Sequence, residues 1–359
     1  MPKFHPLKVN DIRRETADCV SVSFDVPSEL SEEYSFIPGQ YLTFRTEING
    51  EDIRRSYSIC SAPSDGELRV AVKKVEGGRF STYANEELKV GDELSTMTPM
   101  GRFTVPIEPE KGKTYVGFAA GSGITPLMSI MKTVLREEPK SEFVLFYGNR
   151  HTPSIIFKEE IEDLKNRYID RLSVYHLLSG EELNGGIFSG RIDGIKCKAW
   201  SEKVFNSEQV DHFMLCGPGT MIEDIRQELE SQGVAREKVH FELFTTPGQA
   251  KEQIAKKKAI AEEDKGKKSA VRVIIDGTEF SFPLGYDGDN VLDAALKAGA
   301  DVPFACKGAV CATCKAKVQK GEVEMDMNYS LEPDELEANY VLTCQAHPRS
   351  EEVIVNYDI

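Results

Sequence analysis

The sequence predicts a multidomain protein in three parts: an antiparallel β-barrel, a parallel α/β domain, and a small C-terminal module of strands and one helix carrying four cysteines. Three observations carry this reading. Residues 7–105 read as short strands broken by Pro-Gly, Asn-Gly and Asp-Gly pairs. From Thr114 the rhythm becomes strand, helix, strand, which implies a parallel sheet with helices on both faces. After a charged stretch poor in apolar residues, Pro247 to Lys268, a new run of strands opens at Ser269. The expected boundaries are 1–107, 108–248, a linker at 249–268, and 269–359.

In the first part, Cys19–Val26, Tyr41–Thr46, Arg54–Cys60 and Leu68–Val75 alternate β-branched or aromatic residues with polar ones, the pattern of a half-buried strand in a barrel or sandwich. In the second, strands are expected at Tyr115–Ala120, Phe143–Tyr147, Leu172–Leu177, Phe213–Cys216 and Val239–Phe244, with helical periodicity at Pro126–Arg136, Lys158–Asn166 and Met221–Ser231. The third opens with Val271–Ile275 and Thr278–Phe282 joined by Asp276-Gly277, a hairpin signal. A helix from Asn290 to Ala298 follows, ended by Gly299.

The 359 residues include 44 Lys and Arg against 59 Asp and Glu, a net charge of −15. That balance argues against a nucleic-acid partner, whose phosphates attract cations. Between Ser269 and Ile359 stand seven basic and sixteen acidic residues, so a quarter of the chain holds most of the net charge. It serves either solubility or docking to a basic partner surface. No apolar run approaches the ~18 residues needed to cross a bilayer, and residues 1–10 lack the apolar segment of a signal peptide. The expectation is a cytoplasmic chain without membrane insertion, where thiols stay reduced. Its eight cysteines then need a reason other than disulfides.

Four of them supply one. Cys306, Cys311, Cys314 and the distant Cys344 give C-x4-C-x2-C plus one, the plant-type [2Fe–2S] spacing. Iron in a sulfide core calls for soft, anionic thiolates. Gly308, Ala309, Val310 and Ala312 are small enough for backbone amides to approach the sulfurs. The rival is a structural zinc site, which usually shows two C-x2-C pairs; only one is present here. Cys19, Cys60, Cys197 and Cys216 have no ligand spacing, and most of them read as buried small apolar residues.

Two further motif sets stand upstream. Arg55-Ser56-Tyr57-Ser58, then Gly77-Gly78-Arg79-Phe80-Ser81-Thr82 opening a short helix, suit a dinucleotide phosphate held by backbone N–H groups. Ala120-Gly121-Ser122-Gly123-Ile124-Thr125-Pro126 follows a strand and begins a helix, with Thr125 suited to the N-cap and Pro126 to the first helical position. Asn149-Arg150 ends the second strand of this domain, where an acid would receive the ribose 2′-OH of NADH and an arginine the 2′-phosphate of NADPH. No acid stands there, so the reading leans to NADPH, with NADH open.

In this order the motifs resemble those of the ferredoxin–NADP reductase superfamily, with R-x-Y-S, G-x-G-x-x-P and Cys216-Gly217-Pro218. The resemblance implies FAD rather than FMN. It places Tyr57 on the isoalloxazine ring, Arg55 on a phosphate and Ser58 near flavin N5, with Gly78, Ser81 and Thr82 around the pyrophosphate. It puts Gly121, Gly123, Thr125 and Arg150 on the nicotinamide nucleotide, Cys216 and Gly217 at the nicotinamide ring, and Phe244 over the flavin. The last module is then a β-grasp ferredoxin domain. Arg54 through Cys60, Tyr147-Gly148-Asn149-Arg150, Gly190-Arg191-Ile192-Asp193-Gly194, Ala305 through Cys314 and Asn328 through Pro333 make the whole chain similar to the reductase components of phenylacetyl-CoA epoxidase. The resemblance implies an enzyme, an NAD(P)H-dependent oxidoreductase that passes electrons through FAD and the cluster to an oxygenase or other diiron acceptor. Alternatives are service to a steroid hydroxylase or a fatty-acid desaturase, or a non-enzymatic redox sensor.

Overall fold

The computed structural model describes residues 3–181, 185–244 and 266–358. Phe4–Phe244 forms one compact unit, and the C-terminal part of the chain, described from Gly266, forms a second. The expected linker at 249–268 lies outside the described residues except for its last three.

The first unit opens with an antiparallel sheet of six strands: β1 (Phe4–Thr16), β2 (Cys19–Asp25), β3 (Tyr41–Ile48), β4 (Glu51–Ser58), β5 (Leu68–Lys73) and β6 (Glu93–Met97). Their order is β4-β3-β6-β1-β2-β5. A bridge between Ile59 and Val70 joins the ends of this row, so the sheet closes into the expected barrel and neither end strand is left open. Inward residues such as Leu7, Val20, Val22, Leu42, Phe44 and Val70 fill it. Helix α1 (Arg79–Glu86) packs Phe80 and Ala84 into the same core.

A five-stranded parallel sheet follows, made of β7 (Thr114–Ala120), β8 (Glu142–Asn149), β9 (Leu172–Leu178), β10 (His212–Gly217) and β11 (Val239–Leu243), in the order β11-β10-β7-β8-β9. Helices α2 (Ile124–Glu137) and α3 (Lys158–Arg167) cover one face, and α4 (Gly194–Ser201) and α5 (Gly219–Ser231) the other. The strand order reverses between β7 and β10, and the C-terminal ends beside such a reversal are where ligands enter this architecture. One expectation is corrected and one element is added. Gly121–Gly123 form a 3-10 turn that runs straight into α2 at Ile124, so Thr125 is not the N-cap. Thr125 and Pro126 both lie inside the first turn, where a missing N–H costs nothing. The α4 segment is a helix that the sequence pattern does not announce; its N-cap, Asp193, accepts from the backbone N–H of Lys196 at 2.8 Å.

Barrel and parallel sheet share one apolar core. Cys19, Cys60, Ala71, Phe103 and Val105 pack in the same cluster as Ile124, Leu127, Ile130 and Met131 of α2. Polar contacts stitch the seam: Ser129 Oγ donates to Ser61 O at 2.6 Å, and Asp65 receives Lys132 at 2.5 Å as well as Arg136.

The C-terminal unit holds β12 (Lys268–Ile275), β13 (Thr278–Gly285), helix α6 (Val291–Lys297), β14 (Lys315–Lys320), β15 (Val323–Met325), helix α7 (Pro333–Glu337), β16 (Tyr340–Leu342), β17 (Ala346–Pro348) and β18 (Glu352–Asn356). The main sheet runs β13-β12-β18-β14-β16, with β15 and β17 paired separately. The predicted hairpin is present: Asp276 and Gly277 have φ of 51° and 69°, the doubly left-handed turn that matches strand twist. The carboxylate of Asp358 accepts from both of their amides. Asn290 caps α6 by accepting from Asp293 N at 2.8 Å. Among the described residues no helix is long and apolar enough to cross a membrane.

Candidate active site and cysteine loop

The barrel presents Arg55, Tyr57 and Ser58 at the end of β4. The Tyr57 ring is held by Phe80 at 5.4 Å and Phe44 at 6.2 Å between centroids. Burial pushes its phenol pKa up, so it offers a neutral aromatic face. Arg55 is exposed, with one N–H donating to Arg54 O at 2.7 Å. Beside it, the first turn of α1 has no side-chain cap, which leaves its amides available to an anion. A Cβ on Gly78 would lie 2.4 Å from both Ser81 Oγ and Val75 Cγ2. The expected hydroxyl contact is redirected: Ser81 Oγ accepts from Val75 N and donates to Gly78 O, so Ser81 shapes the loop. The Thr82 amide closes onto Gly78 O at 3.0 Å. An aromatic face next to an open helix start fits a flavin dinucleotide.

The loop after β7 is similarly open. Gly121 has φ of +54° with empty space where a Cβ would be, and α2 starts without a side-chain cap. Tyr147 Oη donates to Gly121 O at 3.1 Å and fixes the loop from β8. Two residues on, Asn149 is 7% exposed; its amide lies beside the Tyr147 hydroxyl, yet neither its oxygen nor its nitrogen makes a well-formed hydrogen bond among the described residues. Such orphaned groups at the C-terminal end of a parallel strand call for a polar ligand, which fits the nicotinamide nucleotide. Arg150 follows at the surface. Across the reversal point, a Cβ on Gly123 would sit 2.1 Å from the carbonyl oxygen of Cys216 and 2.5 Å from its carbon. Both obstacles are backbone, so Gly123→Ala must push the loop away from β10. The expected outcome is a rise in KM for NAD(P)H of at least ~10-fold, from the kcal-scale cost of overpacking, with FAD content unchanged; steady-state kinetics with a dye acceptor checks it.

Three elements meet at the seam. Cys216 on β10 is fully buried, and burial raises its thiol well above its ordinary value, with the neighbouring Glu242 adding to the rise. Glu242 is its register partner on β11. Ser58 Oγ, from the barrel, donates to Glu242 Oε2 at 3.1 Å. Desolvation pushes the Glu242 carboxyl up to about 7, against the opposing hydrogen bond from Ser58. A hydroxyl, a carboxyl poised near neutrality and a neutral thiol are therefore gathered between the flavin and nicotinamide motifs. Phe244, just past β11, packs on the shared core. Sequence reasoning missed Glu242. Its signal was an acid inside the apolar run Phe241-Glu242-Leu243-Phe244.

In the C-terminal unit the four predicted cysteines stand as two close pairs, Cys306 with Cys311 and Cys314 with Cys344; the partners in each pair compete for protons, so one thiol is pushed down as the other is pushed up. Gly308 N donates to Cys306 Sγ at 3.2 Å, and the amides of Val310 and Cys311 also face it. The amide of Ala309 faces Cys344. Lys307, Ala309 and Ala312 take positive φ of 48°, 64° and 51°, a cost of order 1 kcal/mol each for residues with a Cβ. That strain turns the loop amides inward onto sulfur. Tyr329 N and Ser330 Oγ hold the loop through Ala309 O. Among the described residues no three His, Cys, Asp or Glu side chains stand ready for a single ion. Two thiol pairs with converging amides fit a two-iron core.

A model of the oxidoreductase FAD-binding domain matches residues 6–105, one of the oxidoreductase NAD-binding domain matches 118–227, and one of the 2Fe-2S iron-sulfur cluster binding domain matches 273–349. The chain is 44% identical to a subunit of the 1,2-phenylacetyl-CoA epoxidase of Escherichia coli (strain K12), over 100% of this chain and 99% of that protein. It is 32% identical to the ferredoxin reductase component of 3-ketosteroid-9-alpha-monooxygenase of Rhodococcus rhodochrous, over 98% and 96% of the two chains. The solved phthalate dioxygenase reductase shares the fold, with a TM-score of 0.60, 22% identity and 98% coverage of each chain. The chain belongs to the family of NAD(P)H-dependent FAD and [2Fe–2S] reductases that supply electrons to oxygenases, the family that includes this epoxidase subunit.

Proposed function

We propose that this chain is the NADPH-oxidising reductase of a phenylacetyl-CoA epoxidase, and that Ser58, Glu242 and Cys216 form its hydride-transfer junction. The observation that carries the chemistry is the 3.1 Å hydrogen bond from Ser58 to Glu242, made across the seam between barrel and parallel sheet. Bound FAD supplies a two-electron acceptor and the cluster a one-electron carrier, while the protein sets position and electronics. Tyr57 offers a ring face to the isoalloxazine, and Arg55 and the Gly78–Thr82 helix start take the FAD phosphates. Gly121, Gly123, Thr125 and Arg150 hold the nucleotide. Cys216 and Gly217 line the nicotinamide, and Phe244 closes over the flavin. Ser58 Oγ orients toward the reacting face, and Glu242 Oε2 would hold, and supply through that hydroxyl, the proton that accompanies the hydride in the two-electron reduction of FAD. Cys306, Cys311, Cys314 and Cys344 hold the cluster. The divisions 1–107, 108–248, 249–268 and 269–359 then follow these tasks, in the cytoplasm.

The acceptor is read from the full-length 44% identity to the epoxidase subunit. A diiron oxygenase with a basic docking face would complement the acidic C-terminal unit. Reconstitution tests this reading. The purified epoxidase oxygenase should turn over with this chain and NADPH, and the rate should fall steeply with added salt. Turnover with other reductases but never with this one would remove the assignment. Anaerobic titration with NADPH and NADH in parallel, followed by visible absorption, is expected to bleach flavin and cluster with the lower KM for NADPH.

A further inference from the structure

Gln345 directly follows the last cluster cysteine and is 3% exposed, an unusual place for an uncharged polar side chain. Its backbone is locked, with N donating to Leu342 O and O accepting from Asp326 N, both at 2.9 Å. Its side-chain Nε2 donates to two acceptors: Lys307 O at 3.2 Å and Cys344 Sγ at 3.5 Å. Lys307 follows Cys306 and sits in the left-handed region. One amide thus ties the first ligand's loop to the last ligand's sulfur. Both neighbours accept only, so the nitrogen must face them and Oε1 must point away. Among the described residues Oε1 has no partner, and burying it that way carries an uncompensated desolvation cost. A leucine of similar size would fill the space without that cost.

We propose that Gln345 is a positioning residue that raises the reduction potential of the cluster by donating a side-chain hydrogen bond to the Cys344 sulfur. Reduction adds one electron and no proton, and the added charge spreads onto the sulfurs. A donor fixed at 3.5 Å therefore favours the reduced form over the oxidised one. An amide does not titrate, so the contribution is independent of pH.

The inference rests on the cluster assignment, which iron and sulfide analysis tests separately. The experiment is an anaerobic redox titration of the full-length protein, followed by electron paramagnetic resonance of the reduced cluster. Gln345→Leu removes the donor, and Gln345→Glu keeps the shape but presents oxygen to the sulfur. Both should load iron, and both should lower the equilibrium constant for cluster reduction by about tenfold, which is ~59 mV for one electron. For Gln345→Leu the shift should be the same at every pH. Unchanged potentials in loaded variants would overturn the proposal. Failure of both variants to load would overturn it too, because Gln345 would then serve assembly and not the potential.

Discussion

Cys311→Ser is expected to abolish cluster assembly and reduction of the oxygenase, while NADPH still reduces the flavin at the wild-type rate. Cys311 shares a pair with Cys306, and the loop amides that serve these sulfurs are set by the strained Lys307, Ala309 and Ala312. Removing one soft ligand leaves iron with a harder donor in a loop shaped for sulfur. The damage stays in one unit. The C-terminal unit has its own core around Val271, Val291, Ala316 and Val355, and the flavin and nucleotide residues lie in Phe4–Phe244. Iron and sulfide content, the reduced-cluster resonance and parallel assays with a dye and with the oxygenase check the split. Oxygenase reduction at the wild-type rate by an iron-free variant would show that electrons leave by another route.

The parts of this arrangement that are legible in sequence are those fixed by local chemistry. The cysteine spacing announces a cluster loop, and the structure sets the four thiols in two close pairs. The Asp276-Gly277 pair announces its hairpin because only a doubly left-handed turn joins two twisted strands so tightly. Strand and helix alternation points to the parallel sheet, because burial on both faces leaves long apolar runs. Non-local features are hidden. The α2 start is easily misplaced because Thr125 and Pro126 suit the cap as well as the first turn, and the preceding 3-10 turn decides between them. Asn149 reads as the tail of a strand until its amide proves to be buried without a well-formed hydrogen bond. Gln345 gives no sign, because its meaning depends on a carbonyl 38 residues away.

Glu242 is the largest omission and gives the second major expectation: Glu242→Gln should slow flavin reduction by NADPH by ~100-fold or more, the usual worth of a positioned acid or base, and erase its pH dependence. Burial holds the carboxyl near 7, above its ordinary 4.5. The native protein therefore keeps a proton that the unfolded chain releases between those values. Native binding of that extra proton means this group's contribution to stability falls as pH rises from about 4.5 to about 7, and its cost is fully felt above that, at most ~3 kcal/mol. Glutamine keeps the shape and a Ser58 partner but cannot titrate. Two measurements then move together. The wild-type rate should show a step with an apparent pKa near 7 that vanishes in the variant. The denaturation midpoint of the variant should gain on the wild type between pH 5 and pH 8. Ser58→Ala should slow reduction and shift the step upward, because the serine hydrogen bond is what favours the charged carboxylate. A wild-type profile flat from pH 5 to pH 9, or a downward shift in the serine variant, would remove Glu242 from the proton path and leave it a structural contact between the two sheets.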